Sequence, residues 1–266
     1  MKNQLKTVDG LPRLLSCELT IVAPVYGNAG TLAELVHRLH AALDSKVINH
    51  RILMVDDNSP DDSWQILDRL CRNDKRLAAV KLSANSRQQH ALLIGLSLAA
   101  DSTWMAILDA DLQDPPEVIS AMYEKSLARN ETVFAERFGQ YESWDRMLAS
   151  MLFKSLVGLI SGLPRRCGTF FITPKHVIAR VLDFSVAHPQ LPIMTRIAAG
   201  RIATVPFVRL RRPQGQSAYN FQRRLRAAYA GLSCAIACRL KMQAKSVAAN
   251  PSTIRISAIL GQGWAE

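Results

Sequence analysis

Trp104-Met-Ala-Ile-Leu-Asp109-Ala-Asp111-Leu-Gln113-Asp-Pro-Pro-Glu117 is the stretch on which the fold turns. Its apolar opening reads as a strand buried on both faces, and the strand stops abruptly at carboxylates. Pro115 and Pro116 then start a helix, where the missing N–H of proline costs nothing. The same pattern recurs upstream. Leu19–Pro24 reads as a strand, and the capping-box pattern Thr31-Leu-Ala-Glu34 opens a helix running to about Leu43. Arg51–Asp56 is a second strand, followed by turn-rich Asn58–Asp61 and a helix over Ser63–Arg72. Leu77–Leu82, a helix over Gln88–Ala100 and a strand at Thr132–Glu136 complete the series. Alternation of this kind predicts an α/β fold, with a mostly parallel Rossmann-like sheet covered by helices. Ligands of such sheets bind beyond the carboxyl ends of the strands, where Asp56 and Asp109 stand.

The second half is less regular. Trp144–Ser161 reads as an amphipathic helix, Gly168–Thr173 as a strand, Pro174–Leu182 as a helix, Ile202–Val208 as a strand and Asn220–Leu240 as a long helix. The predicted organisation is an N-terminal tail at 1–17, one domain at 18–219, an amphipathic helical extension at 220–244 and a tail at 245–266. That last tail has no clear period and is expected to be loosely ordered.

The chain has 266 residues, 48% of them hydrophobic and 21% charged, which excludes a disordered polypeptide. Its formal net charge of +11 is unevenly spread. Residues 1–130 carry a net −2 and residues 131–266 a net +13. The basic half is expected to face an anion, whether a phosphate, an anionic membrane surface or a nucleic acid, against the plainer reading of a solvated basic face. Five cysteines without a CxxC pair fit a reducing, cytoplasmic setting, with Cys234 and Cys238 packing on one helix face. No secretory signal and no membrane-spanning run is visible. Met147–Leu163 is interrupted by Lys154 and Ala227–Cys238 is short, so both are expected to lie on a bilayer without crossing it.

Along an extended chain, residues two apart point the same way. Asp109, Asp111 and Gln113 would then present three oxygen ligands on one side, a set suited to Mg²⁺ or Mn²⁺ shared with substrate phosphates. The plainer alternative is an acidic turn leading into the helix. Val55-Asp56-Asp57-Asn58-Ser59 suits hydrogen bonds to a ribose or a base edge; the alternative is a polar turn with a helix N-cap. Neither a P-loop nor GxGxxG follows the first strand, which argues against a kinase, an ATPase or a dehydrogenase. His37 and His40 are read as surface or packing residues. Tyr219, Phe221, Arg223 and Arg224 mix aromatic and basic side chains, but no RNP or helix-turn-helix signature accompanies them, and no nucleic-acid partner is expected.

Taken in order, Ala23-Pro24-Val25-Tyr26, Val55–Ser59 and Asp109–Glu117 resemble family 2 glycosyltransferases of the GT-A fold. The chain is most similar to the polyprenyl-phosphate glycosyltransferases, the group that includes dolichyl-phosphate mannose synthase. The resemblance spans about Leu19 to Arg226. It implies a nucleotide-sugar donor, with Pro24, Tyr26, Asp56, Asp57 and Asp109 lining the nucleotide pocket. It implies Mg²⁺ or Mn²⁺ held by Asp109, Asp111 and Gln113, and a single in-line displacement that inverts the anomeric carbon. A polyprenyl phosphate at the cytoplasmic face of a membrane would be the acceptor, met by Arg137 and Arg146, whose guanidinium groups suit phosphate. Arg212-Pro-Gln-Gly215-Gln-Ser217 resembles the family's R-x-x-G-x-S segment, which folds over the diphosphate; the resemblance implies a catalytic role for Arg212, with Asp109 and Asp111, and a place at the acceptor phosphate for Ser217.

The chain also departs from the family's pattern. Asn28 stands where an acidic residue is usual, Arg87 where glycine is usual, Phe171 where arginine is usual and Ala218 where lysine is usual. Two cations expected near phosphate are thus absent, and Arg211, Arg223 or Arg224 are the residues expected to compensate. The competing functions are a same-fold transferase acting on a growing glycan or soluble acceptor, and a non-catalytic nucleotide-sugar-binding scaffold.

Overall fold

The structure is a computed structural model and describes residues 14, 17–138, 157–209, 221–243, 256–261 and 264, with side chains described from 229 to 242 in the last long helix. In chain order the elements are β1 (Leu19–Val25), α1 (Leu32–Asp44), β2 (His50–Asp56), α2 (Ser63–Asn73), β3 (Leu77–Leu82), α3 (Gln88–Leu98), β4 (Trp104–Ile107) and α4 (Val118–Arg129). There follow β5 (Thr132–Phe138), β6 (Cys167–Pro174), α5 (Lys175–Asp183), α6 (Leu191–Ala199), β7 (Ile202–Val208), α7 (Phe221–Gln243) and β8 (Ile256–Gly261).

The strands form one sheet in the order β7-β5-β6-β4-β1-β2-β3-β8. β4, β1, β2 and β3 are mutually parallel neighbours. β6 enters antiparallel between β4 and β5, while β7 runs parallel to β5. The chain winds outward from β1 through β2 to β3, then crosses to the other side of β1 to lay down β4. The gap between the carboxyl ends of β1 and β4 is therefore the topological switch point, where open α/β sheets bind ligands.

Both faces are covered, so the strands must be apolar at every position rather than every second one. All seven residues of β1 are buried. Ile21, Ile52, Ala79 and Ala106 pack against α1, α2 and α4, whereas Val22, Leu53, Val80 and Met105 belong to the core on the opposite side. α1 buries Leu32, Leu35, Val36, Leu39 and Leu43, one stripe of a 3.6-residue period. α3 buries seven of its eleven residues, Ala91 to Leu96 and Leu98, because beyond its polar first turn it is apolar on every side. Its Gly95 lies so close to the sheet that a β-carbon there would stand 2.5 Å from Val22 and 2.8 Å from Val55.

Several expectations need correction. Thr31 and Glu34 form no capping box: Thr31 makes no side-chain cap, and its hydroxyl points into the site instead. α4 begins at Val118, and the two prolines lie in the turn leading into it. The tail expected to be loose supplies β8, which pairs antiparallel with the outer edge of β3. α6, an apolar helix with proline in its first turn, was not among the expected elements. Of the expected helix over Trp144–Ser161, only residues 157–161 are described, and they are helical.

Candidate functional site

The site is assembled from four loops at the carboxyl ends of the central strands. Beyond β1 the chain turns sharply, with Gly27 at φ +68°. That turn exposes a row of backbone donors, and the β2 loop satisfies them. Gly27 N–H donates to Ser59 Oγ (3.3 Å), Asn28 N–H to Ser63 Oγ (3.1 Å) and Ala29 N–H to Asp61 Oδ2 (3.1 Å). Tyr26 N–H donates to Asn28 Oδ1 (2.9 Å), so Asn28 shapes the turn. Tyr26 itself is left 53% exposed at the cleft wall.

Asp56 is fully buried, accepts from Ser59 N–H (3.1 Å) and has Lys81 Nζ at 4.0 Å. Burial raises its pKa, against the lowering effect of the Ser59 hydrogen bonds. Asp57 accepts from the backbone N–H and the hydroxyl of Ser86 (2.6 and 2.8 Å), which ties the β3 loop to the β2 loop. Of the two neighbours, Asp57 lines the cleft and Asp56 lies beneath it.

The β4 loop is built differently. Leu112 has φ +58°, so the chain through Asp109–Asp114 is a turn and the expected two-residue periodicity fails. Asp111 Oδ1 accepts from Gln113 N–H (3.1 Å). The Gln113 carboxamide oxygen accepts from Arg209 (2.5 Å). Asp114, fully buried, accepts from Arg137 (2.7 Å) and has Arg209 Nε at 3.3 Å. Thr31 Oγ donates to the carbonyl of Ala110 (2.6 Å), fastening this loop to the start of α1. Gln88 Nε2 donates to Asp109 Oδ1 (2.6 Å). Burial first, then the charges of Asp114 and Asp111, push the Asp109 carboxyl up to about 6.

Between these loops lies a cleft of about 280 Å³ lined by Pro24, Val25, Tyr26, Asn28, Asp57, Asn85, Arg87, Gln88, Asp109, Ala110 and Asp111. The structure thus brings together Pro24, Tyr26, Asp57, Asp109 and Asp111 from three strand ends. It places Asp56 below the cleft, Gln113 against Arg209, and Arg137 against Asp114. Arg146, Arg211, Arg212 and Ser217 lie outside the described residues, as do the side chains of Arg223 and Arg224. Phe171, where an arginine was looked for, is buried against Phe134.

Thr31, Gln88 and Arg209 were not singled out from sequence. Thr31 resembled an ordinary helix cap, and the partners of Gln88 and Arg209 are 21 and 96 residues away. Among the described residues no cluster of three or more His, Cys, Asp or Glu side chains is arranged to hold a metal. Two carboxylates beside a cleft nevertheless fit a hard divalent ion whose remaining ligands are phosphate and water. Burial, and after it the charges of Asp114 and Asp111, raise the pKa of Asp109 there. Asp109 and Asp111 fit such an ion; the Gln113 carboxamide oxygen already accepts from Arg209.

A mostly parallel sheet, a crossover at β1 and a carboxylate-lined cleft at the switch point make this an α/β protein of the GT-A type. Residues 20–186 match the model of glycosyl transferase family 2, well over half of the chain, and the protein belongs to that family. Among solved structures, it is similar to glucosyl-3-phosphoglycerate synthase from Mycobacterium tuberculosis in complex with Mn²⁺, UDP and glucosyl-3-phosphoglycerate. That likeness has 13% identity and a TM-score of 0.56, covering 92% of this chain and 90% of that one. It is also similar to S. aureus TarS 1–349 in complex with UDP-GlcNAc, at 18% identity and a TM-score of 0.52, covering 76% of this chain and 62% of that one. The chain therefore spans about three fifths of the TarS 1–349 structures it matches. At these identities the likenesses establish the fold.

Proposed function

We propose that the protein is an inverting glycosyltransferase that moves a sugar from a nucleoside diphosphate to a polyprenyl phosphate at the cytoplasmic face of a membrane. The observation that carries the donor side is the convergence of Tyr26, Asp57, Asp109 and Asp111 on one cleft at the switch point. The exposed Tyr26 ring offers a stacking face for a base, and Asp57 offers a carboxylate held in place by Ser86. Asp109 and Asp111 would hold Mg²⁺ or Mn²⁺, which supplies positive charge to the departing diphosphate. A uridine donor is the first to test, because UDP-GlcNAc occupies the TarS structure and UDP the glucosyl-3-phosphoglycerate synthase structure above.

In the reaction, an acceptor phosphate oxygen attacks the anomeric carbon as the bond to the donor diphosphate breaks. The electron pair of that bond leaves with the nucleoside diphosphate. A phosphate acceptor is already ionised near neutral pH, so no residue need remove a proton from it. Arg212, Arg146 and Ser217 are the residues assigned to the diphosphate and the acceptor phosphate. Arg137 is assigned a supporting role, since Asp114 already holds it beside the β4 loop.

The membrane side is supported by α7. Tyr229, Ile236 and Leu240 are exposed and fall on one stripe of the helix, opposite buried Cys234 and Cys238. Arg239 donates to the carbonyl of Ile160 (2.9 Å), next to Leu159, which is 82% exposed. Basic side chains beside exposed apolar ones suit an anionic lipid surface. Among the described residues no helix is long and apolar enough to cross a membrane.

The test is a donor screen with Mg²⁺ or Mn²⁺ and a short-chain polyprenyl phosphate, comparing wild type with Asp111→Ala. Metal-dependent transfer by wild type and its loss in the variant are expected. Transfer to a soluble acceptor without lipid would replace the acceptor reading. Binding of nucleotide without turnover on any acceptor would favour the scaffold.

A further inference from the structure

Asp57, Asp109 and Asp111 give the cleft three carboxylates, and a nucleoside diphosphate brings more negative charge to it. One cationic side chain lines the cleft among the described residues, that of Arg87. The other cations nearby are already committed. Arg137 and Arg209 pair with Asp114, and Lys81 sits beside Asp56 and over the Trp64 ring. Arg87 is exposed and forms no ion pair among the described residues.

Its backbone makes the choice of residue harder to explain on stability grounds. Arg87 has φ +72° and ψ 147°, a region that glycine occupies freely and residues with a β-carbon occupy under strain. Its amide donates to Asn85 Oδ1 (3.2 Å), and its carbonyl accepts from the amides of His90 (3.0 Å) and Ala91 (3.2 Å). Those contacts need only the backbone and would serve glycine equally. Among the described residues its side chain makes no hydrogen bond or ion pair that repays the strain. What it adds is a guanidinium at the mouth of an acidic cleft, a group suited to bidentate phosphate recognition.

We propose that Arg87 grips the donor diphosphate from the β3 loop, in the cleft that Asp109 and Asp111 also line, and so sets preference for a diphosphate over the bare nucleoside. This rests on the nucleotide-sugar reading above. It assigns to Arg87 a charge that the sequence led one to seek at Arg211, Arg223 or Arg224.

Arg87→Gly removes the guanidinium while restoring the residue that the backbone favours. Calorimetry would first rank UDP, GDP, CDP, ADP and dTDP on wild type with Mn²⁺. The preferred diphosphate and its parent nucleoside would then be measured on wild type, Arg87→Gly and Arg87→Lys. Arg87→Gly should bind the diphosphate about tenfold more weakly or worse, bind the nucleoside within about twofold of wild type, and melt at the same temperature or higher. Arg87→Lys should recover part of the diphosphate affinity. Equal diphosphate affinity in wild type and Arg87→Gly overturns the assignment of Arg87 and leaves the donor reading intact. Equal losses for nucleoside and diphosphate make the role structural and also overturn it. Failure of wild type to bind any of the five diphosphates overturns the donor reading and this inference together.

Discussion

The loops that follow β2 and β4 are both acid-rich, both close a parallel strand, and lie at the same end of the sheet. Asp61 of the one and Asp109 of the other nevertheless do opposite things. In the β2 loop, Asp61 and its serine neighbours accept from backbone amides, and the β1 turn is built on them. Although burial pushes the other way, hydrogen bonds from Ser63 and Ala29 hold the Asp61 carboxyl below its ordinary value. In the β4 loop, Asp109 receives one side-chain donor, and burial first, then two like charges, push it up to about 6. A carboxylate supplied with enough donors is a structural part; one left short of them is ready for a cation.

The widest separation between the loops should appear in turnover. Asp111→Ala is expected to lower kcat by about 10²–10³-fold with little change in the melting temperature, measured by sugar transfer and calorimetry. Asp61→Ala should do the reverse. Leaving the amides of Ala29 and Ser63 unsatisfied should cost about 1–3 kcal/mol in denaturant unfolding, while turnover per folded molecule is retained. If Asp61→Ala abolished turnover at full stability, the distinction between the loops would be lost.

The two loops should also answer pH with opposite signs in the metal-free protein. Asp109 binds its proton more tightly when folded, so between about 4 and 6 the native state holds more protons than the unfolded one, and this group's contribution to stability falls as pH rises. Asp61 binds its proton less tightly when folded, so its contribution is present above its ordinary value of 3.8 and is lost as pH falls below it. Unfolding curves of Asp109→Asn and Asp61→Asn against wild type across that range would read both slopes. Each variant should flatten only its own.

Two smaller effects sharpen the picture. Thr31→Val removes the hydrogen bond that joins the β4 loop to α1 and should cost about 1 kcal/mol, with a raised KM for donor and an intact fold. Asp56→Asn retains an acceptor for Ser59 N–H while removing a buried charge, and should change stability by less than about 1 kcal/mol. Nucleotide affinity in Asp56→Asn should hold, whereas Asp57→Asn should weaken it. The reverse result would put Asp56, rather than Asp57, at the ligand.

The sheet was legible because strands buried on both faces have to be apolar throughout, and β1 to β4 therefore stand out as unbroken runs. Their carboxyl ends announced the site in the same way. The local shape of the β4 loop was not legible. Leucine is uncommon at positive φ, so nothing about Leu112 signals the turn that ends the two-residue alternation and sends Gln113 towards Arg209. The Thr31 hydroxyl was misread because an N-cap and a loop-to-loop bond look identical in sequence; tertiary structure chose the second. β8 was missed because Ile256-Ser-Ala-Ile-Leu-Gly261 is too short to show a period and owes its order to an available edge.

That edge has a consequence during synthesis. β3 is complete once the ribosome has passed residue 82, yet its outer rim acquires a partner only when residues 256–261 emerge. Until then a nascent chain carries an apolar parallel sheet with an unpaired flank, the kind of surface on which polypeptides aggregate. Stop codons upstream of β8 should therefore yield insoluble product although the cleft and every strand around it have already been translated, as pelleting of the truncated chains after lysis would show.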